Sequence, residues 1–362
     1  MEESIIYLNN AATTWPKPAE VLDLVYETAH SPYLEQGRST NQGAIDYVES
    51  TRETLARFFR FDDLQHVIFT ANATDSLNLL IHGFARKNPG KFHVVTSELE
   101  HNSVLRPLTA LREEGRISLS VAGASPYHVA PETIMDEVTD ETRLAVISHG
   151  SNVLGSIQDI RAIGEALHEK GIFLIVDGAQ SAGLVPVDLS DGSVDAFVFT
   201  GHKSLFGLPG TGGFLLRDPE AVLPVRQGGT GVDSGNLAQP DEMPLRFEAG
   251  THNYPGIISL YAGIGFVERT GLDVIGEKCG EMTRTIIAGL LGIDTVTVDN
   301  PEPELPVISF SVKGLESEDV GFILSKAYRV IVRTGLHCAP LIHRRLNEGR
   351  GSVRISLSCM NT

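Results

Sequence analysis

Short apolar runs rich in β-branched residues alternate with helical patterns, and this alternation constrains the fold more than any other feature of the chain. The runs cover residues 5–8, 67–69, 92–96, 117–121, 144–148, 172–176, 196–200 and 214–216. Continuous apolar runs of this length are typical of strands buried on both faces of a sheet. Between them apolar residues recur at helical spacing, as at Ile160, Ile163 and Leu167. Through about residue 216 the sequence therefore predicts an α/β layered fold.

The pattern changes beyond residue 256. A long helical pattern over 257–269 leads into an apolar run at 305–312, a second helical pattern near 317–328, and short runs at 330–332 and 353–357. Fewer strands with hairpin-like spacing indicate an α+β unit. We expect a large domain over residues 17–256, a small C-terminal domain over 257–362, and an N-terminal segment, 1–16, that packs with the small domain.

Composition and charge exclude several classes of partner. The 362 residues include 29 Lys and Arg against 46 Asp and Glu, a formal net charge of −17. Such an acidic surface repels nucleic acid and anionic lipid, and no apolar run approaches the ~18 residues needed to cross a bilayer. The amino terminus lacks a secretory signal pattern, and the three cysteines form no C-x-x-C pair. We therefore expect a cytoplasmic protein with reduced thiols, no metal site, and neither nucleic acid nor membrane as partner.

Two charged residues follow neighbouring strand runs. Asp177 ends the run 172–176, and Lys203 follows the run 196–200. Ligands of open α/β sheets bind beyond the carboxyl ends of strands, so the pair predicts a site at this edge. For each residue a simpler interpretation stays open: Asp177 as a helix N-cap, and Lys203 as a surface lysine.

Further polar groups follow other strands. The segment 70–76 joins a strand to a helix, where free backbone N–H groups and the helix dipole attract an anion, although capping by Thr74 or Asp75 explains it equally well. His101 follows the run 92–96. In the C-terminal part, Cys338 follows a histidine and lies near Arg333 in sequence. These neighbours are typical of an activated thiol, although an inert buried thiol explains the residue too.

Together these groups are what an aldehyde cofactor with a phosphate and a pyridine nitrogen requires. A lysine binds the aldehyde, a carboxylate keeps the ring nitrogen protonated, and a helix start receives the phosphate. A nearby opposite charge should hold Asp177 ionised.

The chain resembles the class V aminotransferase family of fold-type I pyridoxal-phosphate (PLP) enzymes, within it the cysteine desulfurases and selenocysteine lyases of the short-loop, SufS-like group. The resemblance extends over nearly the whole chain, and its specific stretches are residues 7–14, 100–101, 151–155, 176–180, 201–203, 246–251, 333–339 and 354–357. It implies a mostly parallel seven-stranded sheet with helices on both faces, followed by the smaller α+β domain.

The resemblance also implies residue roles. Lys203 would bind PLP covalently and later move the substrate proton, Asp177 would pair with the ring nitrogen, and His101 would stack on the ring and assist proton transfer. The other cofactor-binding residues would be Ala73, Thr74, Asn152, Gln180, Thr200, His202 and Thr251, the last reaching the phosphate of a neighbouring subunit. Asn152, Arg333 and Arg354 would bind the substrate, and Cys338 would receive its sulfur as a persulfide.

The implied activity is conversion of L-cysteine to L-alanine, by a homodimer with shared active sites that passes sulfur to an acceptor protein for iron–sulfur cluster assembly. Three departures from the family pattern are Leu336, where a second histidine is common, the segment 71–76, and the carboxyl terminus at Thr362, where relatives continue. A selenocysteine lyase, another class V aminotransferase, and a catalytically silent binding protein on the same fold stay open as alternatives.

Overall fold

The computed structural model describes residues 5–30, 45–232 and 234–362, which form ten α-helices, thirteen strands and two short 3-10 helices. The helices are α1 Ala19–Thr28, α2 Tyr47–Phe58, α3 Ala73–Lys87, α4 Asn102–Glu113, α5 Pro131–Asp136, α6 Ile160–His168, α7 Tyr254–Thr270, α8 Leu272–Leu291, α9 Ser317–Tyr328 and α10 Pro340–Asn347. The strands are β1 Ile6–Tyr7, β2 Val67–Thr70, β3 Phe92–Ser97, β4 Ile117–Ala122, β5 Thr142–Ser148, β6 Phe173–Asp177, β7 Ala196–Thr200, β8 Gly212–Leu216, β9 Val296–Val298, β10 Val307–Val312, β11 Val330–Ile331, β12 Arg333–Gly335 and β13 Ser352–Ser356.

Seven strands form the central sheet in the order β2-β8-β7-β6-β5-β3-β4. The neighbours from β7 through β4 pair in parallel, whereas β8 runs antiparallel to both β7 and β2. Hydrophobic clusters lie on both faces of the sheet, so β7 and β8 are buried along their whole length. The predicted mostly parallel sheet is confirmed. Its β8 begins at Gly212, two residues before the predicted run.

The first predicted strand does not join this sheet. β1 pairs in parallel with β11, with Ile6 opposite Val330 and Tyr7 opposite Ile331. The amino-terminal segment is thereby attached to the C-terminal part of the chain.

A second, antiparallel sheet has the order β12-β13-β10-β9. Helix α9 packs against β11, β12 and β13, and α8 packs against β9 and β10 around a separate hydrophobic cluster. Because Arg333 of β12 lies opposite Arg354 of β13, two arginines face each other across this sheet. In the ranges given above, no helix is both long enough and apolar enough to cross a membrane.

Candidate active site

The carboxyl ends of β2, β3, β5, β6 and β7 open into one cavity of about 550 Å³, which β12 and β13 line from the second sheet. Eleven of the residues predicted from the sequence line it, namely Ala73, Thr74, His101, Asn152, Asp177, Gln180, Thr200, His202, Lys203, Arg333 and Arg354. Cys338 and Thr251 are not among its lining residues. The described part of the chain has no cluster of three or more His, Cys, Asp or Glu that could hold a metal ion.

Asp177 is the last residue of β6 and is buried. A Cβ at Gly178 would lie 2.1 Å from the Phe197 ring, so the turn after the strand requires glycine. The Ala179 N–H donates to Asp177 Oδ1 at 2.9 Å, and no helix begins here, so the helix N-cap interpretation is wrong. Burial raises the pKa of Asp177, with the Ala179 N–H and Lys203 as smaller opposing effects. The charge of Lys203 therefore favours the ionised carboxylate, as expected, but its effect on the pKa of Asp177 is smaller than that of burial.

Lys203 follows β7 on a turn and points into the cavity half-buried, so the surface-lysine interpretation is wrong. Burial lowers the pKa of Lys203 to about 8, assisted by Arg354 and Arg333 and opposed by Asp177 and Cys338. An amine with this pKa is partly unprotonated near neutral pH, which is the state that attacks an aldehyde.

One end of the cavity offers unpaired donors to an anion. Asn72 caps α3 by accepting from the Asp75 N–H at 3.0 Å, so the proposed cap at Thr74 or Asp75 is wrong. Among the described residues, the N–H groups of Ala73 and Thr74 have no hydrogen-bond acceptor. Helix N-termini with free N–H groups bind phosphate.

Two side chains complete this end of the cavity. Thr200 Oγ1 and His202 Nδ1 are buried without a hydrogen-bond partner. Buried polar atoms are normally hydrogen-bonded, so each of these two atoms is free to form a hydrogen bond with an oxygen atom of a ligand. The residues present therefore fit the phosphate of PLP, as Asp177 fits its ring nitrogen.

His101 lines the same cavity. Its Nδ1 accepts from the Ser103 N–H at 3.1 Å, which fixes the ring at the start of α4. Burial, with Lys203 and Arg333 as smaller causes, lowers the pKa of His101 to about 4. The ring is therefore neutral at pH 7, which suits stacking on an aromatic cofactor. Gln180 follows Asp177 in the turn after β6, and its Nε2 donates to the Ala11 carbonyl at 3.2 Å.

Arg354 also lines the cavity and provides a second candidate anion site. It is buried on β13 and donates from Nη1 to the Asn152 carbonyl at 3.0 Å, while its Nε has no partner. Asn152 Nδ2 in turn donates to the His337 carbonyl at 2.7 Å. Burial and the nearby Arg333 lower the pKa of Arg354 to about 9. Among the described residues Arg354 has no acidic partner, and a buried cation of this kind fits a carboxylate ligand.

Cys338 lies half-exposed on the turn after β12, whereas Cys279 and Cys359 are buried. Cys338 is therefore not a buried thiol, and its activation stays a prediction. Arg333 Nη2 lies 3.5 Å from Cys338 Sγ. Both His337 and Cys338 have positive φ, 50° and 60°, which costs about 1–3 kcal/mol per residue. Hydrogen bonds hold the turn in this conformation: the Asn102 N–H donates to the Cys338 carbonyl at 2.6 Å and the Ala339 N–H to the Leu336 carbonyl at 2.8 Å.

Thr251 is exposed and lies in a separate cavity of about 180 Å³. The segment before it is anchored by a buried ion pair, in which Arg52 Nη1 contacts Glu248 Oε1 at 3.0 Å. Phe69 N–H also donates to that oxygen, at 2.7 Å. Within one chain, Thr251 does not join the other predicted cofactor-binding residues.

Glu100 is a buried residue in contact with Ser148, which lines the cavity, and the sequence analysis assigned it no role. It accepts from Ser97 Oγ at 2.6 Å, from the Ser148 N–H at 2.9 Å and from Ser148 Oγ at 3.0 Å. Ser148 is the register partner of Asp177. Burial raises the pKa of Glu100 to about 8, with Asp177 as a smaller cause in the same direction and the hydrogen bonds from Ser97 and Ser148 opposing it. Its position beside His101 was visible in sequence, but its contact with β5 was not.

The chain is similar to known proteins over nearly its whole length. The model of the aminotransferase class-V family matches residues 6–362. A probable cysteine desulfurase of Methanothermobacter thermautotrophicus is 33% identical over 99% of this chain and 91% of its own, and a cysteine desulfurase of Salmonella agona is 32% identical over 93% and 85%. The apo structure of a cysteine desulfurase from Thermococcus onnurineus covers 99% of this chain and 91% of its own, at 29% identity and a TM-score of 0.91. This chain is a member of the aminotransferase class-V family.

Proposed function

We propose that this protein is a PLP-dependent cysteine desulfurase that converts L-cysteine to L-alanine and carries the sulfur as a persulfide on Cys338. The observation that carries the proposal is the lining of one cavity by Lys203, Asp177 and Arg354. The thiol of Cys338 lies beside Arg333, another lining residue. The names of the relatives support the same activity.

The chain would hold PLP by contacts with its ring and with its phosphate. Asp177 would pair with the ring nitrogen, Gln180 with the ring oxygen, and His101 would stack on the ring face. The phosphate would be received by the N–H groups of Ala73 and Thr74 and by Thr200 and His202. When bound, the cofactor supplies an electron-accepting ring that stabilises negative charge on the substrate α-carbon.

The protein's own groups would carry the remaining steps. Arg354 and Asn152 would bind the substrate carboxylate, and the free amine of Lys203 would remove the α-proton. The Cys338 thiolate would attack the substrate sulfur. The new S–S bond forms as the C–S bond breaks, and the electron pair of the C–S bond remains on the substrate β-carbon. Protonation of the β-carbon and return of a proton from Lys203 to the α-carbon would complete L-alanine.

The wider assembly is part of the proposal. The exposed position of Thr251 supports a homodimer in which this residue reaches the partner's cofactor. A half-exposed Cys338 supports transfer of sulfur to an acceptor protein for iron–sulfur cluster assembly, and three free cysteines support a cytoplasmic location.

We also propose the division of the chain into residues 17–256 and 257–362, with 1–16 packed on the smaller part. The two separate sheets support the division, and the β1–β11 pairing supports the place of the amino-terminal segment. Helix α7 spans the proposed boundary and packs on α1 and α2.

The test is product analysis. Purified protein reconstituted with PLP is incubated with L-cysteine and a thiol reductant, and alanine and sulfide are measured. Equal amounts of both products are expected, with sulfide nearly abolished in Cys338→Ala and retained in Cys279→Ser. Full sulfide production by Cys338→Ala would show that the proposed nucleophile is wrong.

A second candidate, a selenocysteine lyase or another class V aminotransferase, is favoured by the position of Cys338 outside the residues that line the cavity. Turnover of L-selenocysteine that survives Cys338→Ala, with negligible turnover of L-cysteine, would support the lyase. Stoichiometric amine transfer to a keto acid would support the aminotransferase.

A further inference from the structure

Residues 9–17, which we call the N-terminal strap, connect the second sheet to the turn that carries Lys203. At one end, the Asn10 N–H donates to the Ser356 carbonyl at 3.2 Å, and the Ala11 N–H donates to Ser356 Oγ at 2.8 Å. Arg354, two residues before Ser356, donates from Nη2 to Asn9 Oδ1 at 3.4 Å. The strap therefore begins in contact with the candidate carboxylate-binding arginine.

The other end of the strap converges on one backbone atom, the carbonyl oxygen of His202. This oxygen accepts from the Thr14 N–H at 3.2 Å, from Thr13 Oγ1 at 3.2 Å and from Lys17 Nζ at 2.6 Å. A carbonyl oxygen has two lone pairs, so three donors exceed what an ordinary backbone oxygen receives. Lys203 is the next residue, and its backbone nitrogen belongs to the same peptide group.

Lys17 is an unusual donor for this position. Its side chain is half-buried, and among the described residues it has no carboxylate within ion-pair distance. Burial lowers the pKa of Lys17 to about 8. Removing an ammonium group from water without an acidic partner costs free energy, and here the His202 carbonyl is the hydrogen-bond partner that offsets part of that cost.

We propose that Lys17 is a positioning residue for Lys203: it holds the His202 carbonyl and so fixes the peptide plane from which the Lys203 side chain enters the cavity. The peptide group is planar, so holding its oxygen also orients the Lys203 nitrogen and the start of that residue's backbone. Because Asn9 contacts Arg354, the strap links the site for the substrate carboxylate to the site of the reactive amine. The inference rests on the proposed attachment of the cofactor to Lys203.

The test compares Lys17→Met, which keeps the length of the side chain but donates no hydrogen bond, with Lys17→Arg, which restores a donor. Lys91→Met is the matched control, because Lys91 is exposed. For each variant the apoprotein is titrated with PLP and followed by visible absorbance, kcat and KM for L-cysteine are measured, and thermal unfolding is recorded. Thr13→Val removes a different donor to the same oxygen and serves if Lys17→Met does not fold.

In Lys17→Met we expect about tenfold weaker binding of PLP and a kcat lower by about 10- to 100-fold, with KM within about twofold, because displacement of a reacting group by ~1 Å can cost this much. Lys17→Arg should recover most of both losses, and Thr13→Val should show a smaller loss in the same direction. A purely structural role would lower the unfolding temperature without separating kcat from KM. Binding and kcat equal to those of Lys91→Met would overturn the inference.

The proposed function has a separate outcome in the same experiment. A wild-type protein that gains no visible absorbance dependent on Lys203 would contradict cofactor attachment itself. Normal absorbance and sulfide production in wild type, combined with an unaffected Lys17→Met, would contradict only the role of Lys17.

Discussion

Arg333 and Arg354 are register partners on β12 and β13, and both side chains line the cavity that contains Lys203. Across the residues that the structure describes, neither guanidinium has an ion-pair partner. They differ in their contacts, because Arg354 is buried against the Asn152 carbonyl whereas Arg333 lies against Cys338 Sγ. These contacts support the proposal that Arg354 binds the substrate carboxylate and that Arg333 acts beside the thiol of Cys338.

The first prediction concerns Arg354. Arg354→Lys removes the bidentate donor geometry while keeping the charge, so KM for L-cysteine should rise about 10- to 100-fold, corresponding to about 1.5–3 kcal/mol for hydrogen bonds to a charged group. Steady-state kinetics over a wide range of L-cysteine concentration measures the change. Arg143→Lys, at an exposed position, is the control. An unchanged KM in Arg354→Lys would contradict the proposal that Arg354 binds the substrate carboxylate.

The second prediction concerns the pH dependence of cofactor attachment. The pKa of Lys203 is lowered to about 8, so the amine is unprotonated and reactive at lower pH than an ordinary lysine, whose pKa is about 10.4. At saturating PLP, the rate at which the apoprotein gains visible absorbance should rise up to about pH 8 and then level off. A rate that continues to rise toward pH 10 would contradict the lowered pKa. Lys203→Ala should gain no such absorbance.

The third prediction concerns the reactivity of the three thiols. Cys338 is half-exposed, whereas burial raises the pKa of Cys279 to about 12 and also raises that of Cys359. Because the thiolate is the reactive form, iodoacetamide should alkylate Cys338 at least about tenfold faster than the other two in the folded protein. Peptide mass spectrometry measures the rates, with Cys338→Ser as control. Comparable labelling of Cys279 without unfolding would be inconsistent with this order.

The fourth prediction concerns the buried ion pair of Arg52 and Glu248. Arg52→Met leaves the Glu248 carboxylate buried without its main partner, which should lower the free energy of unfolding by about 3–5 kcal/mol. Urea denaturation measures the loss. The exposed pair of Arg60 and Asp188 is the matched control, and Arg60→Met should cost at most about 1 kcal/mol. Equal losses in the two variants would show that the buried pair contributes no more to the free energy of unfolding than the exposed pair.

Local sequence patterns predicted the strands of the central sheet and the place of Asp177, Lys203 and His101 at its edge. Other cavity residues, such as Gln180 and Arg354, were implied only by the family resemblance. The apolar runs before Asp177 and Lys203 indicate buried strands, and the carboxyl ends of parallel strands meet at one edge, so polar residues after those runs converge. The specific interpretation of each residue was less secure. Asp177 caps no helix, and Asn72 rather than Thr74 caps α3, because the choice between neighbouring polar residues depends on the backbone geometry of each turn.

What the sequence by itself determined is the seven strand runs of the central sheet, some of the helices between them and the residues that follow each strand, because periodicity and burial are encoded locally. Only the tertiary structure decided that β1 pairs with β11, that Arg333 faces Arg354, and that Lys17 reaches the His202 carbonyl across 185 residues. Such contacts join segments far apart in the chain. Their partners are selected by the packing of whole sheets and by the hydrogen bonds left unsatisfied there, and no local pattern specifies them.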